Sequence, residues 1–191
     1  AMRHRRPSSH LDRFVWTVLF VSAVVAVGPT LSGQCPERSV PVVGLPAAGD
    51  EYGTSVDLAG DLAVIGSPGW APTGGSDVGR VTLSLWNGVS WVSSELPRPA
   101  SVVDDDRFGQ SVAINEGQDV IVVGAPGHDA VAGQAGLVVI YERAPATGLW
   151  TVVEEFPGIF AEGHFGWSVA ASGDLIAIGQ PGGARALGTV S

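Results

Sequence analysis

The residues whose types and spacing could do chemistry are a serine in a glycine-bounded turn, two histidines and a run of carboxylates. Gly109-Gln110-Ser111-Val112-Ala113 comes close to the Gly-x-Ser-x-Gly elbow that presents a nucleophilic serine. That elbow needs a strand-to-helix turn, and here strand follows strand. The same serine returns as Ser55 and Ser168, so it reads as a structural position. His128 and Asp129 adjoin in the loop after Ala125-Pro126, but the equivalent loops carry Gly69-Trp70 and Gly182-Gly183. No pattern supports catalysis there, and His128 reads as a solvated loop residue. His164 stands where other copies have Arg107 and Glu51, which reads as a tolerant surface position. Asp104-Asp105-Asp106 could attract a cation or a basic partner, but reads as an exposed acidic turn. Of the tryptophans, Trp91 and Trp150 open equivalent strands and are expected to pack, whereas Trp70 and Trp167 are candidates for exposed contacts with a ligand. There is no phosphate loop, dinucleotide fingerprint or metal-ligand cluster. The expectation is no catalytic, cofactor or metal residues, with Trp70, His128, Asp129 and Trp167 as candidate ligand-loop residues.

These residues sit on a repeated frame. Asp106-Arg107-Phe108-Gly109-Gln110-Ser111-Val112-Ala113 returns in part as Tyr52-Gly53-Thr54-Ser55-Val56 and as Phe165-Gly166-Trp167-Ser168-Val169. Asp119-Val120-Ile121-Val122-Val123-Gly124-Ala125-Pro126 returns as Asp61 to Pro68 and as Asp174 to Pro181. The marker glycines Gly53, Gly109 and Gly166 stand 56 and 57 residues apart, the mark of a repeat architecture. Four strands are expected per unit. Ser55–Leu58 and Leu62–Gly66 are near-continuous apolar runs, as in strands buried on both faces. Gly79–Trp86 alternates Val81, Leu83 and Leu85 with polar neighbours, a period of two. Asn87-Gly88 signals a two-residue hairpin with both residues at positive φ, leading into Trp91–Leu96. Gly136–Arg143 and Leu149–Glu155 repeat the last two strands, and Val40–Pro46 reads as a strand before the first unit. No helix pattern follows residue 27.

Four strands per unit of this length fit a blade of a β-propeller. Phe108-Gly109 with Gly124-Ala125-Pro126 resembles the FG-GAP repeat, the blade unit of the integrin α-chain propeller and of many secreted bacterial proteins. The resemblance covers about residues 40–191 and implies an all-β fold of four-stranded antiparallel blades, in a ring usually of about seven. The chain holds about two and a half blades, at residues 47–97, 104–157 and 161–191. The expectation is therefore a fragment, a truncated frame, or a subunit that self-associates or continues beyond Ser191. Many FG-GAP blades carry a calcium loop between their first two strands. Here that link is only Ala59-Gly60-Asp61, Asn115 to Asp119, or Ser172-Gly173-Asp174. Calcium asks for six to eight oxygen ligands, so calcium is not expected, and the chain resembles the bacterial variant lacking that loop.

Composition narrows the partners. All 10 basic residues are Arg, against 19 acidic residues, for a net charge of −9. Four of the arginines precede residue 14, which leaves an acidic body unsuited to nucleic acid. Residues 2–13 are basic and residues 14–27 are uncharged and apolar, too short for the ~20 residues of a membrane span but right for a signal peptide. Residues 1–34 are thus expected to be a leader, cleaved between Pro29 and Cys35, leaving no membrane span. Cys35 is the single cysteine, so no internal disulfide or zinc cluster is possible. Ser32-Gly33-Gln34 makes a poor lipobox before it. The functional expectation is an exported, non-enzymatic propeller segment (secreted, periplasmic or on the cell surface) that binds a protein or glycan. The alternatives are the non-catalytic part of a longer enzyme, or a remnant.

Overall fold

Short apolar, β-branched runs closed by glycine and proline make strands rather than helices. The computed structural model describes residues 47–129, 132–182 and 189–190. The leader, Cys35 and the strand expected at residues 40–46 lie outside them. Among the described residues there are eleven strands and no helix. Blade 1 is β1 (Ser55–Ala59), β2 (Leu62–Ser67), β3 (Arg80–Trp86) and β4 (Trp91–Glu95). Blade 2 is β5 (Ser111–Ile114), β6 (Val120–Ala125), β7 (Leu137–Arg143) and β8 (Trp150–Pro157). Blade 3 is β9 (Ser168–Ser172), β10 (Leu175–Gln180) and β11 (Thr189–Val190). Each sheet is antiparallel, in chain order. The all-β architecture of incomplete propeller blades is as the sequence leads one to expect.

Alternation within each strand divides the core between two blade junctions. Val64, Val81 and Leu83 of blade 1 meet Val112, Ile121, Val123, Leu137 and Val139 of blade 2. The opposite face of blade 2, with Ala113, Val122 and Val138, meets Val169, Ala171, Ile176 and Ile178 of blade 3. A fully buried aliphatic side chain contributes roughly 1.5–3 kcal/mol, so these junctions outweigh any single hydrogen bond. Only blade 2 has a described blade on each side, and its first strand β5 is buried throughout. The expectation of burial on both faces holds for β2 but fails for β1, and β9 is likewise open on one side. There Val56 is 52 % exposed and alternate β9 residues face solvent.

One turn also departs from expectation. Trp86 pairs with Trp91, so the β3–β4 hairpin has the four-residue loop Asn87–Ser90. Only Gly88 takes positive φ, at 92°. The Asn87 side chain accepts from Val89 N (3.0 Å) and Ser90 N (2.9 Å). That Asx-type turn lets Asn87 keep an ordinary backbone conformation.

The two halves of the repeat motif are coupled at the junctions. Gly109 N donates to Gly124 O within blade 2 (3.0 Å), and Gly53 to Gly66 (2.9 Å) and Gly166 to Gly179 (3.2 Å) do the same in their blades. Across the junctions, Ser55 Oγ donates to Gly109 O (2.8 Å) and Ser111 Oγ to Gly166 O (2.7 Å). Phe108 N and Phe165 N bond back to Val78 O (3.0 Å) and Ala135 O (2.9 Å) of the preceding blade. A Cβ on Gly124 would lie 1.9 Å from Gly166 O, and one on Gly66 would lie 2.0 Å from Gly109 O. The second motif is therefore glycine because the next blade's first motif presses on it. The serine of the supposed elbow is a fastener between blades.

Candidate functional site

Antiparallel pairing brings the Phe-Gly turns and the loops after Gly-x-Pro to one end of the sheets, since the start of β5 pairs with the end of β6. All four sequence-predicted ligand residues, Trp70, His128, Asp129 and Trp167, come from this end. Trp70 and His128 hold the same position in successive blades, and their backbones are bonded alike. Trp70 N reaches Ser67 O (3.1 Å) and His128 N reaches Ala125 O (3.2 Å). Gly79 N returns to Trp70 O (2.8 Å) and Gly136 N to His128 O (2.9 Å).

Their side chains do different things. His128 is not a solvated loop residue: it is 5 % exposed, and its Nδ1 lies 2.7 Å from Asp106 Oδ2. Nor is Asp106 part of an exposed acidic turn. It is 1 % exposed and also accepts from Val103 N (2.8 Å), because the tight turn before Phe108 needs an acceptor inside it. Asp50 does the same for Ala47 N (2.9 Å) in blade 1. Blade 3 has Gly163 at this position, and Gln180 fills the space, its amide 2.2 Å from where a Cβ would be. Trp70 is half-buried beneath two guanidinium groups, Arg80 at 5.1 Å and Arg98 at 5.4 Å from the ring centroid. Asp129 is exposed and accepts from Gln134 N (2.5 Å). Trp167 is 50 % exposed and meets His164 edge-on at 5.7 Å.

His164 is half-buried, with Nδ1 3.2 Å from Pro126 O of the neighbouring blade. It shares with Glu51 and Arg107 a left-handed backbone (φ 53°, 53° and 58°), so this position before the aromatic residue is constrained in backbone though free in type. Arg107 pairs with Glu51 (2.6 Å) and Asp77 (3.1 Å) of blade 1. At the other end, Asp119 accepts from Asn115 Nδ2 (2.6 Å) inside its own turn. Among the described residues no three His, Cys, Asp or Glu side chains gather as metal ligands. Glu116 spans to blade 3, accepting from Ser172 Oγ and Gly173 N (2.9 Å each); the backbone bond to Gly173, with others, lowers its pKa. Trp91 packs, as expected, but on blade 1's own outer face with Tyr52, Leu58 and Trp86, while Trp150 packs against the junction core.

Sequence reasoning passed over one cluster. Tyr52 Oη, Ser67 Oγ, Thr82 Oγ1 and both Nε and Nη2 of Arg80 are buried without a hydrogen-bond partner. Burial raises the Tyr52 pKa, and Arg80 opposes that rise. The signal was available in the repeats. The matching residues of blade 2 are Phe108, Ala125, Leu137 and Val139, all apolar and all buried.

The model of the FG-GAP repeat family matches residues 46–81 and 99–141. The chain carries FG-GAP repeats. The matched stretches contain both coupled motifs of blades 1 and 2, and the third FG-GAP-like unit at Phe165-Gly166 follows the same bonding. No curated protein matches the chain in sequence. Among the described residues, no helix is long and apolar enough to cross a membrane.

Proposed function

We propose that this FG-GAP β-propeller segment is an exported, non-enzymatic binding module for a protein or glycan at a cell surface or outside it. One observation carries the reading: at the loop end the backbone repeats from blade to blade while the side chains do not. Glu51, Arg107 and His164 share one left-handed conformation, and all three are exposed or partly exposed. Such a frame holds different side chains at fixed places, as a recognition surface requires. FG-GAP repeats are typical of extracellular and surface proteins, and the basic-then-apolar segment at residues 2–27 supports export. Placing the ligand at the loop end is analogy with other propellers.

The test is fractionation of cells making the full chain, then binding of the exported protein to arrays of glycans and surface proteins. Export and retention on a defined group of ligands, weakened by Trp167→Ala, are expected. Retention of the chain in the cytoplasm, or binding to no arrayed ligand, would overturn the reading.

A further inference from the structure

Part of the outer face of blade 1 carries polar groups at positions that are apolar in blade 2. The positions of Tyr52, Ser67, Arg80 and Thr82 are filled in blade 2 by Phe108, Ala125, Leu137 and Val139, which pack into the junction core. Three hydroxyls and a guanidinium in their place carry a desolvation cost that apolar side chains would not. Arg80 is 7 % exposed, and its Nε and Nη2 make no hydrogen bond. Those two nitrogens form the edge of the guanidinium that grips a carboxylate through two parallel bonds. Asp50 does not take that place. Its Oδ2 is 4.0 Å from Arg80 Nη2, beyond hydrogen-bond distance, and already accepts from Ala47 N (2.9 Å).

We propose that this cluster is a binding site for the carboxylate of an acidic sugar, gripped by the Nε–Nη2 edge of Arg80. The proposal rests on the binding reading above and deepens it. Arg98, on the same tryptophan, adds a second cation, so two cations offset the charge of Asp50 and the incoming carboxylate. The three hydroxyls favour a sugar acid over a bare carboxylate. Each can donate and accept, a carboxylate only accepts, and the ring hydroxyls of a sugar acid supply the missing donors. The site is closed by Trp70, which lies across the Arg80 guanidinium at 5.1 Å. The Trp70 backbone is bonded on both sides, its N to Ser67 O and its O from Gly79 N, which fixes the loop that carries the indole beside Arg80.

The experiment titrates the full chain with galacturonate, galactose and acetate, followed by calorimetry and tryptophan emission. Saturable galacturonate binding is expected, with galactose and acetate roughly tenfold weaker or more. Arg80→Lys keeps the charge but loses the fork, and should weaken galacturonate by about tenfold or more. Thr82→Val installs the blade 2 residue, and should weaken binding while leaving the unfolding temperature equal or higher. No saturable binding, unchanged affinity in Arg80→Lys, or acetate binding as tightly as galacturonate would each overturn the proposal. If Arg80→Lys keeps all array binding of the native chain, this site is wrong while the binding function stands. If the native chain binds nothing on the arrays, the broader reading has failed.

Discussion

Replacing the three repeated serines one at a time measures what fastens one blade to the next. Ser111 Oγ donates to Gly166 O at 2.7 Å in a buried place, and Ser55 Oγ to Gly109 O at 2.8 Å in a partly buried one. Ser168 is exposed on the outer face of blade 3, with no described blade beyond it. Alanine at Ser111 removes one neutral hydrogen bond, about 1 kcal/mol net, and leaves a buried carbonyl without its side-chain donor, which raises the cost to about 1–2 kcal/mol. Ser55→Ala should cost about 1 kcal/mol, because solvent can partly replace the lost donor. Ser168→Ala should stay within about 0.5 kcal/mol, as exposed substitutions do. At about 2–4 °C per kcal/mol for a chain of this size, Ser111→Ala should lower Tm by about 2–8 °C. Urea unfolding, followed by tryptophan emission and circular dichroism, gives the same ordering if the slope is unchanged. Equal losses at all three serines would refute the fastener, since Ser168 has the same sequence context without the same neighbour. A nucleophilic role for Ser111 predicts lost activity with unchanged stability, the opposite result.

Three further outcomes follow from the same geometry. Gly124→Ala puts a Cβ 1.9 Å from Gly166 O, so blades 2 and 3 must part; a loss of about 3 kcal/mol or more, read by urea unfolding, is expected, while Gly133→Ala, whose Cβ meets nothing within 4 Å, should be neutral. Asp106→Ala strips an acceptor from both Val103 N and His128, and should cost about 2–3 kcal/mol, against less than about 0.5 for exposed Asp129→Ala in the same thermal assay. Glu116 has a lowered pKa in the folded chain, so it binds protons less readily than when unfolded. Its contribution is therefore present above its unfolded pKa and lost as pH falls through the folded value. The protection of the Gly173 amide, taken relative to its intrinsic exchange rate at each pH, should fall on acidification in the native chain and show no such step in Glu116→Gln.

The architecture was legible because it rests on periodicity. Strand order, the coupled glycines and the blade count all follow from a spacing of 56 and 57 residues. What failed to show depended on neighbours that lie far apart in the chain. His128 and Asp106 are 22 residues apart and looked like loop and acidic-turn residues; their burial appears only when the loop after β6 folds over the turn before β5. Asn87-Gly88 misled for a local reason, since asparagine can cap a turn with its side chain as readily as enter it with positive φ.

The Arg80 cluster shows in the sequence only as a difference between repeats, not as a kept motif. The core of blade 2 shows what the fold requires at four positions, and blade 1 departs from it at all four, always towards a hydroxyl or a charge. Each hydroxyl or charge there carries a desolvation cost, and although Asp50 at 4.0 Å and the Trp70 ring offset the Arg80 charge, no hydrogen bond satisfies its Nε and Nη2. A departure that is costly, concentrated on one face and always towards polar groups is better explained by a ligand than by drift. In a repeat chain the informative residues are those that break register in composition while holding it in backbone, and Arg80 meets both conditions, opposite Ser67 in the ladder as Leu137 is opposite Ala125.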